Sequence, residues 1–180
     1  GITDLANLNS WRLEGFIKAF EELSNNFDFI ILDTGAGIHR NVLSFVLAAE
    51  EILVVVTPEP TALTDAYGLL KVIHKQSPHS KVSLVVNMAK NPTEAEMVSE
   101  KINSVLREYV KWEVEYAGYV LQDPNVIKAI AEQQPVFLAY PSSLTSQSFS
   151  RMASTLVGED EKVMPAGAKG FFSKVFKFLH

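Results

Sequence analysis

The chain contains no cysteine, no long apolar run and no excess of positive charge. Without cysteine it can form neither a disulfide scaffold nor a thiolate metal site. No apolar run reaches the roughly 20 residues that a membrane-spanning helix needs. The formal net charge of -5 argues against non-specific binding to DNA, which requires a clustered basic surface. With 180 residues, 47% of them hydrophobic, the sequence predicts one domain with a substantial core.

Motifs for several kinds of active site are also missing from the sequence. G-x-G-x-x-G, which binds dinucleotides, and G-x-S-x-G, which carries a nucleophilic serine, do not occur. None of the 4 histidines has metal-ligand spacing with another. These absences argue against a dinucleotide oxidoreductase, a serine hydrolase and a zinc enzyme.

The most informative stretch begins at Phe27 and reads F-D-F-I-I-L-D-T-G-A-G-I. Its apolar run, Phe29–Leu32, favours β-structure and is too short for a typical helix, so it predicts a strand buried on both faces. Asp33 follows this strand, and Gly35 and Gly37 allow a tight turn into a predicted helix. A carboxylate, a glycine loop and a helix N-terminus in this order suit Mg²⁺ and phosphate. The alternative is a tight turn with a solvated aspartate.

Strands and helices alternate along the remainder of the chain. This alternation predicts an α/β fold with a mostly parallel, doubly wound sheet. Further strands are predicted at residues 51–57, 81–87 and 114–120. The first helix is predicted to begin at a cap at 9 or 10 and to end at about 24. Further helices are predicted at about 41–49 and 61–74, from 91 to near 109, from 123 to before 135, and from after 143 to about 157.

The C-terminal residues differ in composition from the domain at 1–157. Residues 158–167 are acidic and contain proline and glycine, which predicts a linker. Residues 168–180 have an amphipathic helical pattern, with a basic polar face opposite an apolar face. This pattern predicts a membrane-targeting helix, and the alternative is a helix docked on its own domain. The predicted membrane residues are Phe171, Phe172, Lys174, Val175, Phe176, Lys177, Phe178 and Leu179.

The sequence D-T-G-A-G-I at residues 33–38 resembles the second phosphate-side motif of the MinD/ParA group of P-loop ATPases. Within this group it is most similar to the flagellar-number branch, FlhG, also called FleN or YlxH. V-V-T-P-E-P-T-A-L-T-D-A-Y at 55–67, V-V-N at 85–87 and the stretch from G-Y-V at 118 to Q-P at 135 resemble later blocks of the group. The resemblance therefore covers essentially the whole chain.

The deviant P-loop of that group, K-G-G-V-G-K-T, is absent from this sequence. We therefore expect a P-loop NTPase fold truncated at its N-terminus, with no ATP turnover by this chain alone. In the group, the P-loop strand pairs beside the strand predicted at Phe29–Leu32. Without it, we expect an unpaired sheet edge that invites pairing with another chain.

The resemblance implies a cytoplasmic, ATP-dependent switch that controls flagellar number and placement. ATP and Mg²⁺ would drive a homodimer that binds the inner face of the cell membrane. The expected partners are the flagellar GTPase FlhF, basal-body components and an anionic membrane surface, with no nucleic acid. Asp33 would be the catalytic residue, holding Mg²⁺ through water or orienting the attacking water. The residues expected to bind the phosphates are Thr34, Gly35, Ala36 and Gly37.

The resemblance implies a role for four further residues, and three of them also have a local alternative. The resemblance places Asn87 against the adenine base, whereas an Asx-turn is the local alternative. Asp123 and Pro124 resemble the other base-side wall, and Asp123 could equally be a helix N-cap. Asp65 lies on a helix face that resembles a partner-binding face, and the alternative is a solvated charge.

Two other functions stay open from the sequence. The first is a non-catalytic module that docks on membrane and protein, which ATP turnover by the chain alone would exclude. The second is a ParA-like DNA-partitioning ATPase. The acidic balance and the amphipathic C-terminal residues argue against this second function.

Overall fold

The computed structural model describes residue 18, residues 21–158 and residues 167–179. These residues form two compact units. The first contains the described residues up to Ile52, Val72–Lys81 and the described residues from 167 onwards. The second contains Leu53–Lys71 and residues 82–158.

Within the described residues, helices and strands alternate as the sequence predicts, except at the strand predicted at Phe29–Leu32, and the other bounds lie close to the predicted ones. The helix cap predicted at 9 or 10 and most of the linker predicted at 158–167 lie outside the described residues. The four-residue helix α5 is the addition that the sequence did not predict. The strands are β1 (Glu51–Val56), β2 (Lys81–Ala89) and β3 (Glu115–Leu121). The helices are α1 (Arg40–Ala48), α2 (Pro60–Gln76), α3 (Pro92–Tyr109), α4 (Pro124–Ala131), α5 (Val136–Ala139), α6 (Leu144–Gly158) and α7 (Gly167–Leu179), and residues 21–26 are also helical.

The three strands form one sheet in the order β1-β2-β3. β2 and β3 pair in parallel, which confirms the predicted α/β class. β2 is the central strand, and its residues 82–86 are all buried, as expected for a strand covered on both faces. None of the helices in the described ranges combines the length and hydropathy needed to cross a bilayer.

Two bulges interrupt the pairing of β2 with β3. Leu84 pairs with Tyr116, so regular pairing would set Val85 opposite Ala117. Val85 pairs with Gly118 instead, so β3 carries one extra residue there. A second irregularity follows between Val86 and Ala89 of β2. Gly118 has a φ of 136°, in the left-handed region that favours glycine, which explains why a glycine stands in the middle of this strand.

The strand predicted at Phe29–Leu32 is wrong. The structure places these residues in neither a helix nor a strand, and Ile31 is 90% exposed. A strand is stabilised by hydrogen bonds to a neighbouring strand, and the sheet of the described residues consists of β1, β2 and β3. The apolar run therefore lacks a pairing partner in the described part of the chain.

β1 forms where it was predicted, but its burial differs from the expectation of a fully covered strand. Its residues alternate between exposed and buried positions. Leu53 is 45% and Val55 60% exposed, while Ile52, Val54 and Val56 are buried. β1 is thus an edge strand of the described sheet, with one apolar face in solvent.

Asn103 on α3 fixes the backbone that leads into β3. Its side-chain Nδ2 donates to the carbonyl of Val114, and its Oδ1 accepts from the Val114 amide, both at 3.0 Å. We expect Asn103→Ala to lower the free energy of unfolding by about 1–3 kcal/mol, because two buried backbone groups lose their partners. Urea denaturation followed by circular dichroism measures this change.

The matched control is Ser104→Ala, at an exposed position of the same helix. We expect this substitution to change the free energy of unfolding by less than about 0.5 kcal/mol. Equal denaturation midpoints for the Asn103→Ala protein and the unmodified chain would contradict the role assigned to this side chain.

Candidate functional site

The predicted phosphate loop, Asp33–Gly37, is exposed and leads into α1. Gly37 has a φ of 110°, which a residue with a side chain rarely adopts, so the turn requires glycine here. His39 is the N-cap residue of α1, but its side chain makes no capping hydrogen bond. The first turn of α1 also lacks an acidic residue. These helix-start amides are therefore suited to an anion.

Asp33 provides the carboxylate of this loop. The described residues contain no group of three or more histidine, cysteine, aspartate or glutamate side chains that could hold a metal. Mg²⁺ is commonly held by one or two carboxylates together with the phosphates of its substrate. An exposed carboxylate beside a glycine loop and an uncapped helix start therefore fits a Mg²⁺–nucleotide. It does not fit a metal held by protein ligands alone.

Asn87 of β2 lies at the second of the two irregularities in the pairing of β2 with β3. Its side-chain Oδ1 accepts a hydrogen bond from the amide of Met88 at 2.9 Å, and Met88 has a φ of 58°. This contact reaches the next residue, whereas the side chain of an Asx-turn accepts from the backbone two residues on, so it is local but is not the Asx-turn of the alternative. It leaves the Nδ2 group as the part of the amide that could face a base.

Asp123 is the N-cap of α4, as one of its two alternatives predicted. Its Oδ1 accepts from the amide of Asn125 at 2.9 Å, and its Oδ2 accepts from the amide of Thr145 at 3.2 Å. Pro124 follows in the first turn. The hydrogen bond from the Asn125 amide is the main cause that holds the pKa of the Asp123 carboxyl below its usual range. Asp123 therefore also ties the start of α4 to the start of α6.

Two acidic residues near the start of α2 are exposed. Asp65 lies on the surface of the helix, which is compatible with both a partner-binding role and a solvated charge. Glu59 precedes the helix, and a hydrogen bond with the Thr57 side chain holds the pKa of Glu59 below its usual value.

The apolar face of α7 packs on α1. Phe172 and Val175 of α7 are 2% and 1% exposed and form a cluster with Phe45 and Ala48 of α1. We call these four residues the tail cluster. The structure therefore shows the docked arrangement that was the alternative to a free membrane helix.

The basic face of α7 is turned to solvent. Lys174 and Lys177 are exposed, whereas Phe171 and Phe176 are half-buried beside the tail cluster. The ring centroids of Phe171 and Phe45 lie 6.2 Å apart. The side chains of two further predicted membrane residues lie outside the described part of the chain: Phe178 and Leu179.

Leu32 connects the phosphate loop to the tail cluster. It packs against the cluster and immediately precedes Asp33 in the sequence. Since α1 follows the loop, both ends of the loop are joined to residues that contact α7. This arrangement was not predicted from the sequence, although the spacing of Phe45 and Ala48 on one face of α1 was a usable signal.

The predicted site residues divide between the two units. The first unit brings together the carboxylate, the glycine loop and the start of α1. The residues predicted for the base side and for a partner belong to the second unit. They are Asp65, Asn87, Asp123 and Pro124.

Known proteins resemble this chain in sequence and in fold. It is 34% identical to the antiactivator FleN of Pseudomonas aeruginosa over 170 residues, which are 94% of this chain and 60% of FleN. It is 29% identical to the flagellum site-determining protein YlxH of Helicobacter pylori over 164 residues, 88% of this chain and 55% of YlxH. No family model matches the chain.

The fold is similar to that of the septum site-determining protein MinD of Pyrococcus horikoshii, solved as a complex with Mg-ADP. The TM-score is 0.60 with 22% identity, over 82% of this chain and 56% of that protein. The chain belongs to the MinD/ParA-type family. It spans 60% of the length of FleN, so it corresponds to part of such a protein.

The Asp123 cap makes the stability of this MinD/ParA-type chain depend on pH. We expect Asp123→Ala to lower the free energy of unfolding at neutral pH by about 0.5–2 kcal/mol, because the Asn125 amide loses its acceptor. Asp123→Asn keeps an acceptor oxygen and should cost less. Since the folded-state pKa is lowered, the carboxylate contributes fully above the unfolded value of about 3.9 and loses its contribution as the pH falls through the folded value.

Urea titrations at neutral and acidic pH measure this effect, with Asp65→Ala as a control at an exposed carboxylate that caps no helix. The stability difference between the unmodified chain and the Asp123→Asn protein should shrink on acidification. A difference that stays constant down to strongly acidic pH would show that the charge of Asp123 does not stabilise the fold.

Proposed function

We propose that the chain is part of an ATP-dependent switch that regulates the number and placement of flagella. The observation that carries this proposal is the similarity to FleN and YlxH over 94% and 88% of the chain. FleN is named an antiactivator, and YlxH is named a flagellum site-determining protein. The glycine loop that leads into α1 and the amphipathic helix α7 support this proposal, as candidate elements for nucleotide and for membrane.

The phosphate loop is the proposed site of Mg²⁺ and ATP. When bound, the Mg²⁺–nucleotide supplies the phosphoryl group and the counter-charge, and catalysis of such transfers is mainly positioning and charge stabilisation. Asp33 would hold Mg²⁺ through water or orient the attacking water. Gly35 and Gly37 would offer backbone amides to the phosphates, with the uncapped start of α1 behind them.

On the base side, we assign different roles to the two predicted residues. Asn87 would present its Nδ2 group to the base, since its Oδ1 accepts from the Met88 amide. Asp123 accepts hydrogen bonds on both carboxylate oxygens, so its role would be to shape the wall together with Pro124.

The docked α7 is the proposed membrane-binding element. Docking removes Phe172 and Val175 from water, which is worth about 1.5–3 kcal/mol for each side chain. Transfer to a bilayer would bury the same side chains and add about 1 kcal/mol for each of Lys174 and Lys177 near anionic lipid. Because the two states differ by little, a modest change at α1 would move α7 between them.

The proposed active form is a nucleotide-dependent homodimer at the inner face of the cytoplasmic membrane. One α7 would bind a membrane weakly, because the burial that it gains in lipid replaces the burial that it loses on leaving α1. Two copies in a dimer bind through their effective concentration. The proposed partners are the GTPase FlhF and basal-body components, and the exposed Asp65 on α2 is the proposed contact residue.

The membrane proposal is tested by co-sedimentation with anionic vesicles. We expect the chain to pellet with the vesicles at low salt and to be released at high salt, because its basic face contributes electrostatically. The Phe171→Glu plus Phe176→Glu protein should pellet several-fold less, because two charges interrupt the apolar face.

The matched control is Phe137→Glu plus Phe149→Glu, which changes two exposed phenylalanines of the second unit. This control should pellet like the unmodified chain. Equal pelleting of the unmodified chain and the Phe171→Glu plus Phe176→Glu protein would refute a membrane role for α7.

A further inference from the structure

Met88, near the end of β2, has a backbone conformation that is unusual for its residue type. Its φ is 58°, in the left-handed region. Glycine adopts this region freely and asparagine tolerates it, whereas the Cβ of most other residues comes too close to the following carbonyl oxygen. Residues held in such a conformation cluster at ligand-binding and active sites, where the surrounding structure fixes them. Met88 is therefore a candidate for a residue that contacts a ligand.

Contacts on both sides of Met88 hold this conformation. On one side, the Met88 amide donates to the side-chain Oδ1 of Asn87 at 2.9 Å. On the other side, the buried Ala89 pairs with Leu121 of β3, and the carbonyl of Ala89 accepts from the Gln122 amide at 2.8 Å. The strained residue thus lies between two fixed points, and its conformation is built into the end of the sheet.

The carboxyl ends of the parallel strands β2 and β3 meet at Met88. Open α/β sheets bind their ligands outside the carboxyl ends of their strands. Met88 exposes 52% of its surface there, next in sequence to Asn87, whose Nδ2 group can donate a hydrogen bond. A thioether packs well on an aromatic ring, and an amide can donate to a ring nitrogen. The two neighbouring side chains therefore suit a flat heteroaromatic ring.

We propose that the Met88 thioether packs on the face of the nucleotide base while the Asn87 amide donates to the edge of the same base. The location of the base at Asn87 comes from the proposed function, on which this inference rests. The expected base is a purine, because its two fused rings offer more area to the thioether than the single ring of a pyrimidine. The left-handed backbone fixes where the Met88 side chain begins, so less freedom is lost when the base binds.

A residue that is strained for the sake of a ligand can be replaced without loss of stability. Met88→Gly should therefore leave the urea denaturation midpoint unchanged or raise it, because glycine adopts the left-handed region freely. The matched control is Met97→Gly, at a position of α3 that is 68% exposed. This control should lower the midpoint, because glycine is unfavourable inside a helix. A midpoint that falls as far for Met88→Gly as for Met97→Gly would overturn the proposal, since Met88 would then stabilise the fold.

NMR of the full chain, isotopically labelled at the methyl groups of its 4 methionines, tests the contact with the base. Adenosine at millimolar concentrations should move the Met88 methyl resonance upfield, through the ring current of the purine, and leave the Met97 methyl unmoved. Ribose, which lacks the base, should move neither. Met88→Gly should weaken adenosine binding by about two- to tenfold, read from the side-chain amide of Asn87. Met88→Leu keeps an apolar side chain and should bind more tightly than Met88→Gly.

Tripolyphosphate with Mg²⁺ is the second probe, and it separates this contact from the proposed function. It should shift the backbone amides of Gly35 and Gly37 in the phosphate loop. If it does so while adenosine leaves the Met88 methyl unmoved, the contact with the base is overturned and the phosphate site stands. If adenosine moves the Met88 methyl and tripolyphosphate shifts neither glycine amide, the contact is supported and the phosphate site is refuted. If neither probe has an effect, both are overturned.

Discussion

The contact on which the first unit depends is the packing of the α7 phenylalanine face against α1. Phe172 and Val175 are almost completely withdrawn from water there, together with Phe45 and Ala48. A helix with this apolar face must be covered, either by protein or by lipid, because exposing it costs several kcal/mol. The phosphate loop lies between Leu32 and α1, so the residues on both sides of the loop also contact α7.

Elements with local sequence signals could be predicted from the sequence. Asn91 and Asp123 each precede a proline and each cap the helix that follows, as their pattern predicts. The run at Phe29–Leu32 has an equally clear β-favouring composition but forms no strand. A strand requires a partner elsewhere in the chain, and composition alone does not report whether that partner is present.

The candidate site shows the same division between local and non-local information. The turn at Gly37 and the cap at Asp123 follow from residue type, and the structure contains both. The bulge at Asn87 and Met88 carries no sequence signal, because methionine does not favour a positive φ. Amphipathicity predicted an apolar face on α7, but an apolar face is equally compatible with a protein surface and with a membrane.

The most direct measurement of the α1–α7 contact is amide hydrogen exchange in the full chain, compared with the Phe172→Ala protein. If α7 is held by α1, both helices are protected in the unmodified chain, and Phe172→Ala increases exchange in α7 and in α1 while β2 and α3 of the second unit keep their protection. If α7 exchanges freely in the unmodified chain, or if α1 does not respond to Phe172→Ala, the tail cluster does not hold the two helices together.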